Sequence, residues 1–281
     1  MNKFLNTGRF FLAAPMLIYP VLHFIYPAFV ATIVPPWIPW HLFWTYFTAI
    51  TIFAAGVAII ISRFAYPAAV LLGIEILLFV LIIHGELLFH SSGDAWAESA
   101  LFPKLMSDRV INAFKDFGLC GAVFVFAGTL PLVTKTSLQG ILFIAGKIIL
   151  GISIAAFGLL HFIYPQYAPG IPPMYTDVTF IIPGHLFWVY TTGAALLAAG
   201  LLIIAGKETA KLVSWLGVLL LLFDVLVWAP RFGSHPGDLW GNWLKDLGVI
   251  GGVIVFGKWL TNNSPQPAKK QVQAMGEPIS N

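Results

Sequence analysis

The sequence predicts an all-α integral membrane protein of eight transmembrane helices, built as two parallel four-helix repeats with both termini inside. Three observations predict it. The 281-residue chain is 59% hydrophobic and only 10% charged, against roughly 25% charged in soluble domains, so lipid is its solvent. Its apolar residues fall into eight runs, each near the roughly 20 residues a helix needs to cross a bilayer. The chain also repeats itself. His23-Phe24-Ile25-Tyr26-Pro27 recurs as His161-Phe162-Ile163-Tyr164-Pro165. Pro39-Trp40-His41-Leu42-Phe43-Trp44-Thr45-Tyr46 is echoed by Pro183-Gly184-His185-Leu186-Phe187-Trp188-Val189-Tyr190. Repetition inside one chain marks a duplicated structural unit.

The first run, 9–27, follows Lys3 and Arg9 and has the outline of a secretory signal. It aligns with 147–165, deep in the chain, so it is expected to be retained. Pro15 and Pro20 kink it; their counterparts are Ser153 and Gly158. The second run, 41–62, carries Ala54-Ala55-Gly56, echoed by Ala198-Ala199-Gly200, small residues that let helices approach in lipid. The third is 66–88. The fourth, 110–130, holds Cys120, the chain's one cysteine. That excludes an intrachain disulfide and a CxxC pair and reads as packing. The second unit supplies 142–163, 185–205, 210–229 and 243–260. The units are 1–134 and 135–261; residues 262–281, rich in Pro, Gln and Lys, read as a disordered cytoplasmic tail.

The offset between the copies locates the insertions. It is 138 at His23/His161, 144 at His41/His185, Gly56/Gly200 and Gly73/Gly217, and 130 at Asn112/Asn242, Lys115/Lys245, Asp116/Asp246 and Gly118/Gly248. The second unit is thus longer in its first loop, and the first unit in its third, around 91–104. Four helices per unit return the chain to its starting side, so the repeats are parallel, related by an axis along the membrane normal.

Charge orients them. With the N-terminus inside, the inner face holds ten of the fifteen basic residues, Arg9, Arg63, Lys147, Lys207, Lys211 and Lys258 among them. N-in, C-in follows. Trp37, Trp40, Trp44, Trp188, Trp228, Trp240 and Trp243 then fall near the outer interface as an aromatic belt.

All seven histidines (His23, His41, His84, His90, His161, His185 and His235) also fall at outer helix ends. His23 ends one helix and His41 opens the next; His161 and His185 repeat the pair. His41 and His185 sit in first turns, where the helix dipole favours neutral imidazole, the form that ligates a metal or accepts a proton. Two readings stand. The four bind a metal, haem or proton-exchanging ligand, or they bond loop carbonyls under the lid Pro35-Pro36-Trp37-Ile38-Pro39. No HxxxH, HxxE or CxxC spacing favours the first.

The second repeated element is Asn112-x-x-Lys115-Asp116-x-Gly118 and Asn242-x-x-Lys245-Asp246-x-Gly248, at the outer starts of the fourth and eighth runs. Asn and Asp cap first turns. Asn112 and Asp116, four apart on one face, are also placed to orient a repeated histidine by hydrogen bonding. Two unrepeated acids lie inside apolar runs, and intramembrane carboxylates are functional candidates by default. Glu75 is expected to pair with Arg63 or to carry a proton. Asp224 is expected to pair with Arg231 or a histidine.

Gly158-x-x-His161-Phe162, Pro165, Tyr167, Pro172-Pro173, Pro183, Tyr190-x-x-Gly193 and Gly200 resemble the DoxX/DoxD-like family of four-helix membrane proteins, one unit per half. The resemblance implies the fold, a bacterial cytoplasmic membrane, and association with membrane redox complexes or thiosulfate:quinone oxidoreduction. Family members often carry Glu three residues after the second-helix glycine. Leu196 and Ile52 stand there in this chain, so no role of that carboxylate carries over.

The reading these residues support is a redox-associated protein with a quinone, haem or metal site at its outer face. His23, His41, His161 and His185 would serve it, and Tyr46 and Tyr190 would bond a quinone carbonyl. A non-catalytic subunit beside a partner enzyme and a small-molecule carrier are the alternatives. Expected partners are the lipid bilayer and a membrane or periplasmic redox protein, with no nucleic acid.

Overall fold

A computed structural model describes residues 7–85, 108–132, 134, 136–163, 165, 184–228 and 236–264. Among these the chain is all-helical. α1 is Gly8–Ile25, α2 the short Pro27–Ala31, α3 His41–Ile61, and α4 Ala65–Phe79, which loosens into a π-turn, Val80–His84. α5 is Asp108–Thr129, α6 Ser137–Ile163, α7 His185–Ile204, α8 Ala210–Trp228 and α9 Pro236–Asn263. Among the described residues, six helical spans are long and apolar enough to cross a membrane. The protein is a multi-pass membrane protein.

Most predicted boundaries fall within a few residues of these. Three differ. The third run is not one regular helix, because the π-turn begins at Val80; such a turn shifts the helix phase, and His84 comes round to α5. The last helix begins at Pro236, well before 243, and ends at Asn263, inside what reads as tail. The sixth starts at Ser137, where the Thr136 hydroxyl caps the backbone N–H of Gln139 at 3.1 Å. The insertion at 91–104, the loop with Tyr167 and Pro172-Pro173, His90, Arg231, His235 and residues 265–281 lie outside the described residues.

The helices do not close as two separate bundles. α1 packs on α3, α4 on α5, α6 on α7 and α8 on α9, each pair within one half of the chain. But α5 packs along α6, α1 along α9, and α5 on α9 at the centre, while α1 barely touches α5. The first helix of each half thus lies against the fourth helix of the other. The reason is visible at two glycine crossings. A Cβ on Gly251 would stand 2.2 Å from the Leu12 nitrogen and 2.7 Å from the Gly8 carbonyl oxygen. One on Gly121 would stand 2.6 Å from the Leu150 nitrogen and 2.9 Å from the Gly146 oxygen. Without side chains there, the backbones touch, and close packing is what holds helices together in lipid.

One buried cluster fills the first half, with Leu12, Met16, Ile59, Leu72 and Phe124. Another fills the second, with Leu150, Leu196, Ile203, Val253 and Phe256. The outward faces stay apolar and exposed, Phe29, Leu71, Phe187 and Trp215 among them, as a lipid-facing surface requires.

Four left-handed residues set helix ends: Trp40 (φ 61°) and Gly184 (φ 78°) before α3 and α7, and Ser62 (φ 64°) and Gly206 (φ 68°) after them. A Cβ on Gly206 would meet nothing within 4 Å. Gly206→Ala is therefore expected to cost about 1 kcal/mol from the left-handed backbone alone, read as a lowered unfolding midpoint in detergent. An unchanged midpoint would deny the strain.

Candidate functional site

The Lys-Asp elements meet across the centre. In α5, Lys115 and Asp116 lie in the second and third turns, about 10 Å along the helix from Asp108 at 1.5 Å per residue. α9 runs beside it in matching register. The Lys115 ammonium donates to Asp246 Oδ2 at 2.8 Å. Lys245 donates to both oxygens of Asp116, at 2.8 and 2.9 Å, and to Asn112 Oδ1 at 3.2 Å. Lys115 thus neutralises Asp246, and Lys245 neutralises Asp116. These side chains are between 11% and 29% exposed, so an unpaired charge here would be costly.

Three further helices reach this centre. From the π-turn on α4, His84 Nε2 lies 2.9 Å from Asp116 Oδ2, and its Nδ1 is buried with no hydrogen-bond partner. From α8, Asp224 is 5% exposed; the Trp243 indole bonds it, yet its Oδ1 has no partner. Tyr19 of α1 stands within electrostatic reach of both Asp116 and Asp246. Unsatisfied buried polar atoms are rare in folded proteins, and here two belong to titratable groups of one cluster.

The repeated histidines His23 and His161 bond their own helices. His23 Nδ1 bonds the Tyr19 carbonyl at 2.8 Å, and His161 Nδ1 the Phe157 carbonyl at 2.7 Å, each one turn back in its own helix. His161 is buried and His23 half-buried. His41 is half-buried at the start of α3, where its carbonyl accepts from Thr45. His185 opens α7, and its side chain lies outside the described residues, as does that of Asn242. Among the described residues no three His, Cys, Asp or Glu side chains are grouped as a metal would need.

Tyr46 stacks on Phe24 at 5.5 Å and Tyr190 on Phe162 at 5.8 Å, both on outward faces. Glu75 accepts from Thr51 at 2.7 Å across the α3–α4 contact. Arg63, its expected partner, is exposed and lies over the Phe64 ring instead. Cys120 is buried, 3.4 Å from the Gly73 carbonyl.

The expected partner of Asp116 among the histidines was a repeated one; the structure supplies His84. Sequence reasoning also passed over Tyr19 and the Asp224–Trp243 contact. One signal was present. Lys115-Asp116 recurs as Lys245-Asp246, and two such pairs can satisfy each other. No protein-family profile, curated protein or solved structure matches this chain.

Proposed function

We propose that the chain is a proton-translocating membrane protein built as a tandem of two DoxX-like four-helix units, with eight spans and both termini inside. The crossed Lys-Asp cluster is its proton-exchanging centre. The observation that carries this reading is the cluster itself: paired, largely buried charges at the contact between two halves, up to 29% exposed at Asp246, beside two titratable groups, His84 and Asp224, that keep an unsatisfied atom. Intramembrane ionisable residues mark ion and proton pathways, and sites between repeats are usual in carriers.

The tandem reading is supported by equivalent contacts at the sequence offsets. Gly8 and Leu12 meet Gly251, as Gly146 and Leu150 meet Gly121. Gly73 meets Phe124, as Gly217 meets Ile254. Left-handed caps recur at Trp40/Gly184 and Ser62/Gly206 although the residue types differ.

Vesicles loaded with a pH dye and driven by a potassium diffusion potential test the reading. The expected result is faster proton entry than in protein-free vesicles. His84→Gln and Asp224→Asn should each slow entry by an order of magnitude or more while leaving the protein folded. Entry unaffected by both substitutions would sink it.

The complete matching of two lysines by two aspartates favours a second reading, a structural lock in a non-catalytic subunit. In that case the double exchange Lys115→Asp with Asp246→Lys preserves folding and every activity. A quinone role is supported by the outward-facing Tyr46 and Tyr190 stacks alone; quinol-dependent proton release from vesicles, lost in Tyr46→Phe with Tyr190→Phe, is its test.

A further inference from the structure

At the opposite end of the bundle, α5 and α9 end where α1 and α6 begin. The four helices leave a cavity of about 910 Å³ between them. Arg9, Thr136, Gln139, Lys258 and Asn262 give it polar walls, and Phe126, Phe143, Val255 and Trp259 give it apolar ones. Among the described lining residues there are two cations and no acid.

The state of each cation matters. Arg9 donates one guanidinium N–H to Ser62 at 2.7 Å and lies over the Phe10 ring, leaving its other donors uncommitted. Lys258 makes no hydrogen bond or ion pair with any described residue. The acid nearest in kind at this end, Glu208, is already engaged by Lys147. The cavity therefore carries positive charge that no carboxylate among its described lining residues offsets, in a concave site whose apolar walls strengthen the field.

Such a site takes an anion. The walls say which kind. A free phosphate dianion would find no use for Phe126, Phe143 and Trp259. A phospholipid presents both parts, a phosphodiester and an ester-linked apolar stem. Basic pockets between transmembrane helices on the positive-inside face hold anionic headgroups. Trp259 sits at this end, where an indole suits the headgroup level.

We propose that this cavity binds the phosphate of an anionic phospholipid, with Lys258 and Arg9 as its charge partners and Trp259 and Phe143 against its apolar stem. A lipid seated here touches α1, α5, α6 and α9 together. It ties the two halves at the end away from the crossed ion pairs.

Native mass spectrometry of the full chain in detergent tests this, titrating phosphatidylglycerol against phosphatidylcholine of the same chains. The expected result is a bound lipid with clear preference for phosphatidylglycerol. Lys258→Gln should weaken phosphatidylglycerol binding about fivefold, the worth of one basic residue at an anionic surface, and leave phosphatidylcholine unchanged. Lys258→Arg should retain the preference. Lys211→Gln, an exposed lysine at the same end outside the cavity, should change nothing. Equal affinity of wild type for the two lipids overturns the proposal whether or not a variant folds. So does an equal loss in Lys211→Gln, which would mean diffuse attraction. Displacement of the lipid by an equal concentration of glycerol 3-phosphate overturns it in favour of a soluble phosphate ligand.

Discussion

Lys245→Met is expected to lower the unfolding free energy by about 3–5 kcal/mol, the cost of stranding a buried charge. Lys245 donates to both oxygens of Asp116 and to Asn112. Its removal leaves Asp116 with only His84 as a described partner, in a place 15% exposed. The double variant Lys245→Met with Asp116→Leu should recover most of the loss, because an apolar pair has no charge to desolvate. Lys211→Met, on the exposed start of α8, should stay within about 0.5 kcal/mol of wild type. Reversible unfolding in mixed micelles measures all three. A single variant as stable as Lys211→Met would show that water reaches the cluster freely, and the buried centre would fall with it.

Gly251→Val is expected to abolish the stable fold in detergent. Its Cβ would stand 2.2 Å from the Leu12 nitrogen and 2.7 Å from both the Leu12 Cα and the Gly8 oxygen. All are backbone atoms, so no side chain can rotate aside, and α1 must withdraw from α9. Overpacking costs about 1–3 kcal/mol where neighbours can yield; here they cannot. Gly121→Val should do the same at the α5–α6 crossing. Gly140→Ala makes the contrast: its Cβ meets nothing within 4 Å, so helix propensity should add up to about 1 kcal/mol. Size-exclusion profiles and melting curves read both. A monodisperse Gly251→Val with an unchanged melt would contradict the close α1–α9 approach.

Much of this protein is legible in its residues because lipid simplifies the code. Backbone groups in hydrocarbon must bond within their own helix, so apolar runs translate directly into helices. The boundaries of α1, α3, α7 and α8 follow from that alone. The π-turn at Val80–His84 does not, since an extra residue in a helical turn leaves no compositional trace. The beginning of α9 is missed for a related reason: Pro236 to Asn242 is too polar to read as a span, yet it continues the helix.

The candidate site divides the same way. The repeated Asn, Lys and Asp positions stand out in the sequence, where they read as first-turn caps; the helices begin earlier, at Asp108 and Pro236, so these residues lie a turn or more inside and do not cap. Their pairing depends on which helix lies beside which. A lysine and an aspartate adjacent in sequence point about 100° apart on a helix, so each must look to another element for its partner. The repeated histidines drew the functional reading because they were conspicuous. In the structure His23 and His161 each bond one ring nitrogen, Nδ1, to a carbonyl of their own helix, and unrepeated His84 reaches the charged centre.

By itself the sequence determined the solvent and the helices, because hydrophobic length is a local property of a chain. Only the tertiary structure decided the crossing of the halves and the exchange of Lys115 and Lys245 between Asp246 and Asp116. Those depend on backbone contact at Gly8, Gly121, Gly146 and Gly251. In lipid it is such close packing, not apolarity, that chooses a helix's neighbour.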